Sequence, residues 1–317
     1  MRKRIPDSTV DLVIADPPFG IQETKFDKGF YERNPEHVLE GYVEAPEDYM
    51  KFTRDWMTEA VRSLRPGGSI YVIIGHSRLR EVLTASAELG LPLINQCVYK
   101  YSFGTKTEKK YTTSHYNVLF YQKPGGVSTF NTHCRFGPSE TIVEDGKRGS
   151  LLYRDLEDVF VYKRKNVAGE KKNGNCLPIE LVEKLILYSS KEGDFVLDPF
   201  QGNFTTAYAA RGLKRRILGF ELNKVTFNLH APQVRRVEFG GNLKNQRAPV
   251  IFVPPKRGKP FEDGEKEQMY NYFLTLRAGG VPSPQAVKTV SERHLRTTAS
   301  IKRIVRDMKK NPPKISA

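Results

Sequence analysis

The sequence predicts an α/β fold: a mostly parallel sheet with one antiparallel strand, an inserted polar region and a small helical module at its C-terminal end. Three observations lead there. Strand-length apolar runs alternate with helical patterns through residues 10–101. Residues 194–198 read as a strand that enters a glycine turn, the helical run 207–213 and a further strand at 216–219. The 317 residues exceed one minimal domain and suit a core of about 200 to 250 residues with appendages.

The first strand, 10–15, is apolar apart from Asp11 and runs into Asp16-Pro17-Pro18-Phe19. Two prolines fix φ and remove two N–H donors, so carbonyls there lack a local partner and can face a bound group beside Asp16. Open α/β sheets bind ligands at this edge. Two acceptors with an aromatic face suit a planar amino group; the plain alternative is a proline-rich turn closing a buried strand. Residues 22–47 are polar, with Lys25, Phe26, Lys28, Phe30, Tyr31 and Arg33 interleaved. Such a loop over the site can grip a phosphate backbone and stack on bases, or be an ordinary surface loop.

Pro46-Glu47-Asp48 opens a helix with acids in its first turn and Tyr49, Phe52, Trp56, Ala60, Val61 and Leu64 at helical spacing, which Pro66-Gly67-Gly68 ends. A buried strand at 69–75, a helix at 78–89 and a strand at 93–101 continue the β-α-β-α-β alternation expected of parallel strands. Residues 114–122 add an antiparallel strand whose His115 can face a target, although a lone strand histidine is more often structural. From 123 to 174 the pattern lapses into Gly, Asn, Ser and charge, including 163–165 and 171–172. A helix with Pro178 at its start then precedes the second motif. Glu221 follows Gly202 by 221 − 202 = 19 residues, the spacing at which a second strand brings a carboxylate to a ribose.

Residues 249–263 form a Pro, Gly and charge-rich linker. Three short helices follow at 265–277, 283–293 and 298–309, with Ser283 and Thr298 as N-caps. The last presents Ile301, Ile304, Val305 and Met308 on one face, with Lys302, Arg303, Arg306, Lys309 and Lys310 elsewhere. A helix-turn-helix or winged-helix module and a plain basic tail both fit that pattern.

Lys and Arg number 51 against 36 Asp and Glu, a net charge of +15. Solubility alone needs only about 2 to 8 charges, so a polyanion, nucleic acid above all, is the expected partner. Cys97, Cys134 and Cys176 form no Cys-x-x-Cys, which argues against a zinc ribbon or disulfide framework and for a reducing cytoplasm. The histidines lack partners at ligand spacing, so no metal site is expected. No signal or membrane-spanning segment is expected either.

With Asp16-Pro17-Pro18-Phe19 first and Asp198-Pro199-Phe200-Gln201-Gly202-Asn203-Phe204 second, the chain resembles the β class of amino-group DNA methyltransferases, which use S-adenosylmethionine. The resemblance implies a Rossmann-like methyltransferase domain at 1–248 and target recognition by about 104–174. It implies methylation of adenine N6 in double-stranded DNA within restriction-modification, with cytosine N4 as the neighbouring alternative. Asp16, Pro17, Pro18 and Phe19 would be catalytic. Asp198, Pro199, Phe200, Gly202, Asn203, Thr205, Glu221 and Asn223 would bind the cofactor, and Asn242 joins them because 234–242 has the character of a strand ending in Gly-Asn. A homodimer and a restriction endonuclease partner stay open. The chain departs from the family in having Asn203-Phe204 where a second glycine is usual; Asn tolerates a left-handed conformation and Phe does not adopt it cheaply. Either Phe204 packs beneath the loop of an active enzyme, or the chain is a non-catalytic DNA-binding relative.

Overall fold

The computed structural model describes residues 1, 4–19, 47–101, 108, 111–162, 176–246 and 259–310. Most of the polar loop 22–47, nearly all of 102–110, both basic runs at 163–172 and most of the linker lie outside the described residues. In chain order come β1 (Val10–Ala15), α1 (Tyr49–Ser63), β2 (Leu64–Ile74), α2 (Leu79–Glu88), β3 (Leu93–Lys100) and β4 (His115–Gln122). Next are β5 (Thr141–Glu144), β6 (Lys147–Ser150), α3 (Leu151–Leu156), β7 (Val159–Val161), α4 (Ile179–Ser189), β8 (Phe195–Asp198), α5 (Thr205–Gly212), β9 (Arg216–Gly219) and α6 (Lys224–Arg236). The last three helices are α7 (Glu265–Ala278), α8 (Ser283–His294) and α9 (Thr298–Lys310).

Seven strands form one sheet in the order β7-β3-β4-β2-β1-β8-β9. Only β4 runs antiparallel to its neighbours, as expected, and it inserts between β2 and β3. β1 lies inside this sheet and is buried on both faces. Leu12 and Ile14 pack towards Leu181 and Leu185 of α4 and Ala209 of α5, while Val13 and Ala15 pack towards Trp56, Met57 and Ala60 of α1. A strand with helices on both sides needs a continuous apolar run, and here the exception is functional in the fold. Asp11 accepts from Arg65 Nε at 2.6 Å and from the Phe195 N–H at 2.9 Å, joining β1 to both neighbours at its opening end.

The helix after the first motif differs at both ends from its sequence expectation. Asp48 precedes the first turn and caps it, accepting from the Lys51 N–H at 2.9 Å; the turn itself holds no acid. The helix stops at Ser63, and Pro66-Gly67-Gly68 lies within β2. Pairing with β1 shifts there, from Val10 opposite Leu64 to Leu12 opposite Ser69, so β2 carries three extra residues (5 against 2). Gly67 has φ +77°, and a Cβ on it would stand 2.3 Å from the Val127 carbonyl oxygen. The expected strand at 234–242 is absent: α6 continues to Arg236, and a short 3-10 turn covers Gly241–Asn245.

The polar insertion contains more order than its composition suggests. β5 and β6 form an antiparallel hairpin whose turn residues Asp145 and Gly146 both have positive φ, the geometry that makes Asp-Gly a strong hairpin signal. β7 pairs with β3 at the sheet edge. The Asp155 carboxylate accepts from Arg135 Nε at 3.0 Å and from the Tyr188 hydroxyl at 2.5 Å, and Lys184 donates to the Asp155 carbonyl.

The chain forms two compact units, one of residues 1–135 and 153–248 and one of 136–152 and 249–317. In the second, Met269 and Phe273 of α7, Ala286 and Val290 of α8, and Ile301 and Ile304 of α9 make the core. Helix starts fall one residue earlier than the expected caps: Pro282 precedes α8, and the Thr297 hydroxyl accepts the Ser300 N–H at 3.1 Å. Arg296 is buried, donating to Glu265 at 2.9 and 2.6 Å and to the carbonyls of Lys259 and Pro260 at 2.7 and 2.9 Å.

Removing one partner of such a pair leaves a buried charge and costs about 3–5 kcal/mol, whereas an apolar replacement of both is far milder. Arg296→Met should therefore melt the C-terminal unit at a lower temperature, and Arg296→Met with Glu265→Leu should recover most of the loss in calorimetry.

Candidate active site

β1 and β8 run parallel with Leu12 opposite Val196 and Val13 opposite Leu197, so both leave the sheet at the same edge. Asp16-Pro17-Pro18-Phe19 and Asp198-Pro199-Phe200 are thereby neighbours. Within the first motif the Pro18 carbonyl accepts the Tyr49 hydroxyl at 2.9 Å, and the Phe19 carbonyl accepts Arg78 Nε at 3.3 Å. Arg78 also lies 4.5 Å above the Tyr49 ring. These bonds hold the turn from one side. No described residue donates to the Asp16 carboxylate or to the Pro17 carbonyl, so among the described residues these two neighbouring acceptors are open.

The Phe19 ring lies 5.1 Å from Tyr116 of β4, and Tyr116 lies 4.9 Å from Tyr101. His115, the strand residue singled out in the sequence, is exposed, and its neighbour Tyr116 is the one that meets the motif. Alternation along a strand places successive residues on opposite faces, so a one-residue difference decides which side chain reaches the site.

The second motif is a tightly bonded loop. The Asp198 carboxylate accepts the Phe200 N–H at 2.8 Å, and the Gln201 N–H donates to the Phe220 carbonyl at 2.9 Å. Phe200 is enclosed by Phe52 at 5.8 Å and by Trp56, edge-on, at 5.4 Å. A cleft of about 450 Å³ runs along α1 there, lined by Asp48, Lys51, Phe52, Asp55 and Trp56. Glu221 accepts the Gly202 N–H at 2.8 Å through one oxygen and the Asn223 N–H at 2.7 Å through the other. Asn223 in turn caps α6. Thr205 Oγ1 lies 3.1 Å from Cys176 Sγ. Gln201 is buried with Oε1 unbonded among the described residues, and its amide fills the space above Gly219, where a Cβ would stand 2.0 Å from Nε2.

Two expectations change here. Phe204, not Asn203, carries the left-handed conformation, at φ 60° and ψ 22°, beside Gly202 at φ 48°. Burial compensates for the strain: Phe204 is 6% exposed, stacks on His230 at 5.6 Å and meets Phe227 edge-on at 6.0 Å. Asn242 is not brought to the loop. It packs at Gly212, the far end of α5, and donates to Glu183 Oε1 at 3.1 Å.

Burial, and then the charge of Asp198, raises Asp16 well above the ordinary carboxylate range, although part of its surface reaches solvent. Asp198 is pushed up to about 6 by burial and by Glu221, against the lowering hydrogen bonds of Thr206 and Phe200. No described lysine or arginine lowers either group. With Asp198 raising Asp16 and Glu221 raising Asp198, the carboxylates at this edge form a site that favours a cationic ligand.

Sequence comparison matches residues 10–231 to the N6/N4 family model described as DNA methylase. The type II methyltransferase M.BamHI of Bacillus amyloliquefaciens is 29% identical over 230 residues, which cover 69% of this chain and 52% of the relative. M.HpaI of Haemophilus parainfluenzae is 28% identical, covering 70% and 67%, and M.BglII of Bacillus subtilis is 27% identical, covering 69% and 62%. The chain thus spans about half to two thirds of the length of these relatives. Among solved structures, a candidate DNA modification methylase of Thermus thermophilus in complex with S-adenosyl-L-methionine superposes with TM-score 0.52 at 21% identity, covering 74% of this chain and 88% of its own. The cytosine-N4-specific PvuII DNA methyltransferase gives TM-score 0.52 at 15% identity, covering 78% and 90%.

The left-handed Phe204 leads to an unusual ranking. Both truncations lose the buried ring, a loss of about 3–5 kcal/mol for Phe→Ala in a core. Glycine alone also releases the left-handed strain of about 1–2 kcal/mol. Phe204→Gly should therefore melt at a higher temperature than Phe204→Ala, which differential scanning calorimetry can check.

Proposed function

Because the chain belongs to the N6/N4 family of DNA methylases, we propose that it transfers a methyl group from S-adenosylmethionine to an exocyclic amino group in double-stranded DNA, namely adenine N6. The observation that carries this is a pair of acceptors that no described residue occupies, Asp16 and the Pro17 carbonyl, beside the Phe19 ring. An exocyclic amine is a poor nucleophile because its lone pair is conjugated into the ring. Two acceptors drawing on its protons favour a pyramidal nitrogen with a localised pair, while Phe19 and Tyr116 offer a stacking wall to a base taken out of the duplex. As the nitrogen gains the methyl group it sheds a proton. Asp16, whose pKa is raised and which touches solvent, would accept that proton and release it.

The carboxylates fit a cofactor that is cationic at sulfur. When bound, S-adenosylmethionine supplies the electrophilic methyl on that sulfonium. Asp198 and the Gly202 turn would hold its methionine portion, sulfur included, and its adenosine portion, with Phe200 as an apolar wall. Both Glu221 oxygens hold loop N–H groups, and each keeps a second lone pair for a ribose hydroxyl. Adenine is favoured because the motif opens with Asp16, where cytosine-N4 relatives more often carry Ser. The named relatives are type II methyltransferases, and a role in modification beside a restriction endonuclease extends the same reading.

Asp16→Ala should reduce methyl incorporation by about 10²–10⁴-fold while duplex affinity stays within a few-fold, since phosphate contacts dominate binding. Tritiated-methyl incorporation and filter binding measure the two, and an active Asp16→Ala variant would overturn the assignment. Mass spectrometry of nucleosides from methylated duplex should show N6-methyladenine; N4-methylcytosine alone would reassign the base.

Cofactor binding should depend on pH. Burial and Glu221 push Asp198 up to about 6, so on acidification through that range it would take a proton and withdraw a charge from the sulfonium. Affinity for S-adenosylmethionine should fall as pH drops through 6, by up to about tenfold per unit. S-adenosylhomocysteine, neutral at sulfur, should fall less steeply in calorimetric titration, and parallel curves would remove Asp198 from the sulfonium site.

A further inference from the structure

We propose that α8, the turn 295–297 and α9 form a helix-turn-helix that docks α9 on duplex DNA, giving the C-terminal unit a DNA-contact surface of its own. The proposal goes beyond methyl transfer and does not rest on it. Three residues, Leu295, Arg296 and Thr297, separate the two helices, the short turn that the motif requires. The turn is fixed rather than slack: Leu295 is left-handed at φ 53°, the Arg296 N–H donates to the Ser291 carbonyl at 3.1 Å, and the Ser291 hydroxyl donates to the Arg296 carbonyl at 2.5 Å. The buried Arg296–Glu265 pair ties the same turn to α7.

α9 is divided cleanly along its length. Ile301 and Ile304 are buried, with Val305 and Met308 packed on the same core. Lys302, Arg303, Arg306, Lys309 and Lys310 are exposed, and at 100° per residue they fall within an arc of about 120° opposite that core face. Of these, Arg306 alone has a described acidic partner, Asp307 at 3.4 Å; no described acid pairs with the other four. Thr298 and Ala299, also exposed, begin the helix with small side chains, and the first turn of a recognition helix is the part that approaches base edges. Basic amphipathic helices also bind anionic membranes, but they do so through a free apolar face. Here that face is spent on the core of the unit. A cationic stripe on a rigid helix is complementary to phosphates, and its spacing suits a groove flanked by two backbones.

The experiment uses the full chain without cofactor. Lys302→Gln/Arg303→Gln/Arg306→Gln is compared with Lys191→Gln/Lys214→Gln/Lys244→Gln, which removes the same charge from the first unit. Fluorescence anisotropy with a labelled duplex, titrated at several salt concentrations, should show the α9 variant about tenfold or more weaker. Its log–log salt slope should be smaller by about 2–3, near 0.9 for each lost phosphate contact. The control variant should change neither quantity by more than a few-fold. Equal losses in both variants, an unchanged salt slope, or a loss confined to single-stranded RNA of the same length would overturn the proposal. Loss of methylation in Asp16→Ala with this binding intact separates the two functions.

Discussion

The parallel pairing of β1 with β8 is the contact on which the site depends. Asp16 and Asp198 are 198 − 16 = 182 residues apart, and the side-by-side exit of these strands brings the Asp16-Pro17-Pro18-Phe19 turn next to the Asp198-Pro199-Phe200 loop. The pairing is held from below by Asp11, which bonds to Arg65 of β2 and to the first N–H of β8. It is held from both faces by helices packing on alternate residues of β1. The polar residue in an otherwise apolar strand thus stands at the opposite end from the Asp16 turn and ties β1 to both of its neighbours.

The carboxylates gathered at that edge are costly to the free protein. Asp198 titrates at about 6 when folded against a usual 3.8, so the folded chain binds its proton more tightly than the unfolded chain does. This contribution to stability is present below the unfolded value and is lost as pH rises through 6, on the order of 3 kcal/mol. At neutral pH the site therefore holds charge that the fold alone does not compensate. A cationic ligand would supply the compensation, which would make affinity and local instability two aspects of one electrostatic arrangement.

Much of this was legible in the residues, for identifiable reasons. Long apolar runs and their alternation with helices revealed the sheet, because burial on both faces leaves little choice of side chain. The two motifs were visible because proline and glycine constrain the backbone before any packing occurs. Pro66-Gly67-Gly68 misled because a helix stop and a strand bulge use the same residues, and only the opposed Val127 backbone distinguishes them. Phe204 misled because propensity prices the backbone alone, whereas His230 and Phe227 provide the packing that tolerates a left-handed phenylalanine. Tyr49 and Tyr116 carry no local signal at all; they matter through contacts 31 and 97 residues away in sequence (49 − 18 and 116 − 19). The Asp145-Gly146 hairpin was missed within a stretch read as patternless, although both residues favour the positive φ that its turn needs.

The C-terminal unit is discontinuous, and that changes how the chain can be divided. Because 136–152 belongs with 249–317, the backbone passes between the units three times, at 135/136, 152/153 and 248/249. A single cut near 248 would not release a complete module. It would remove the three helices and strand the β5–β6 hairpin without its companion, leaving exposed Val143 and the hairpin's open edges on the remaining fragment. Trimming the chain at its most tempting boundary would thus leave part of the second unit behind on the part retained, and a clean separation needs the hairpin excised with the helices.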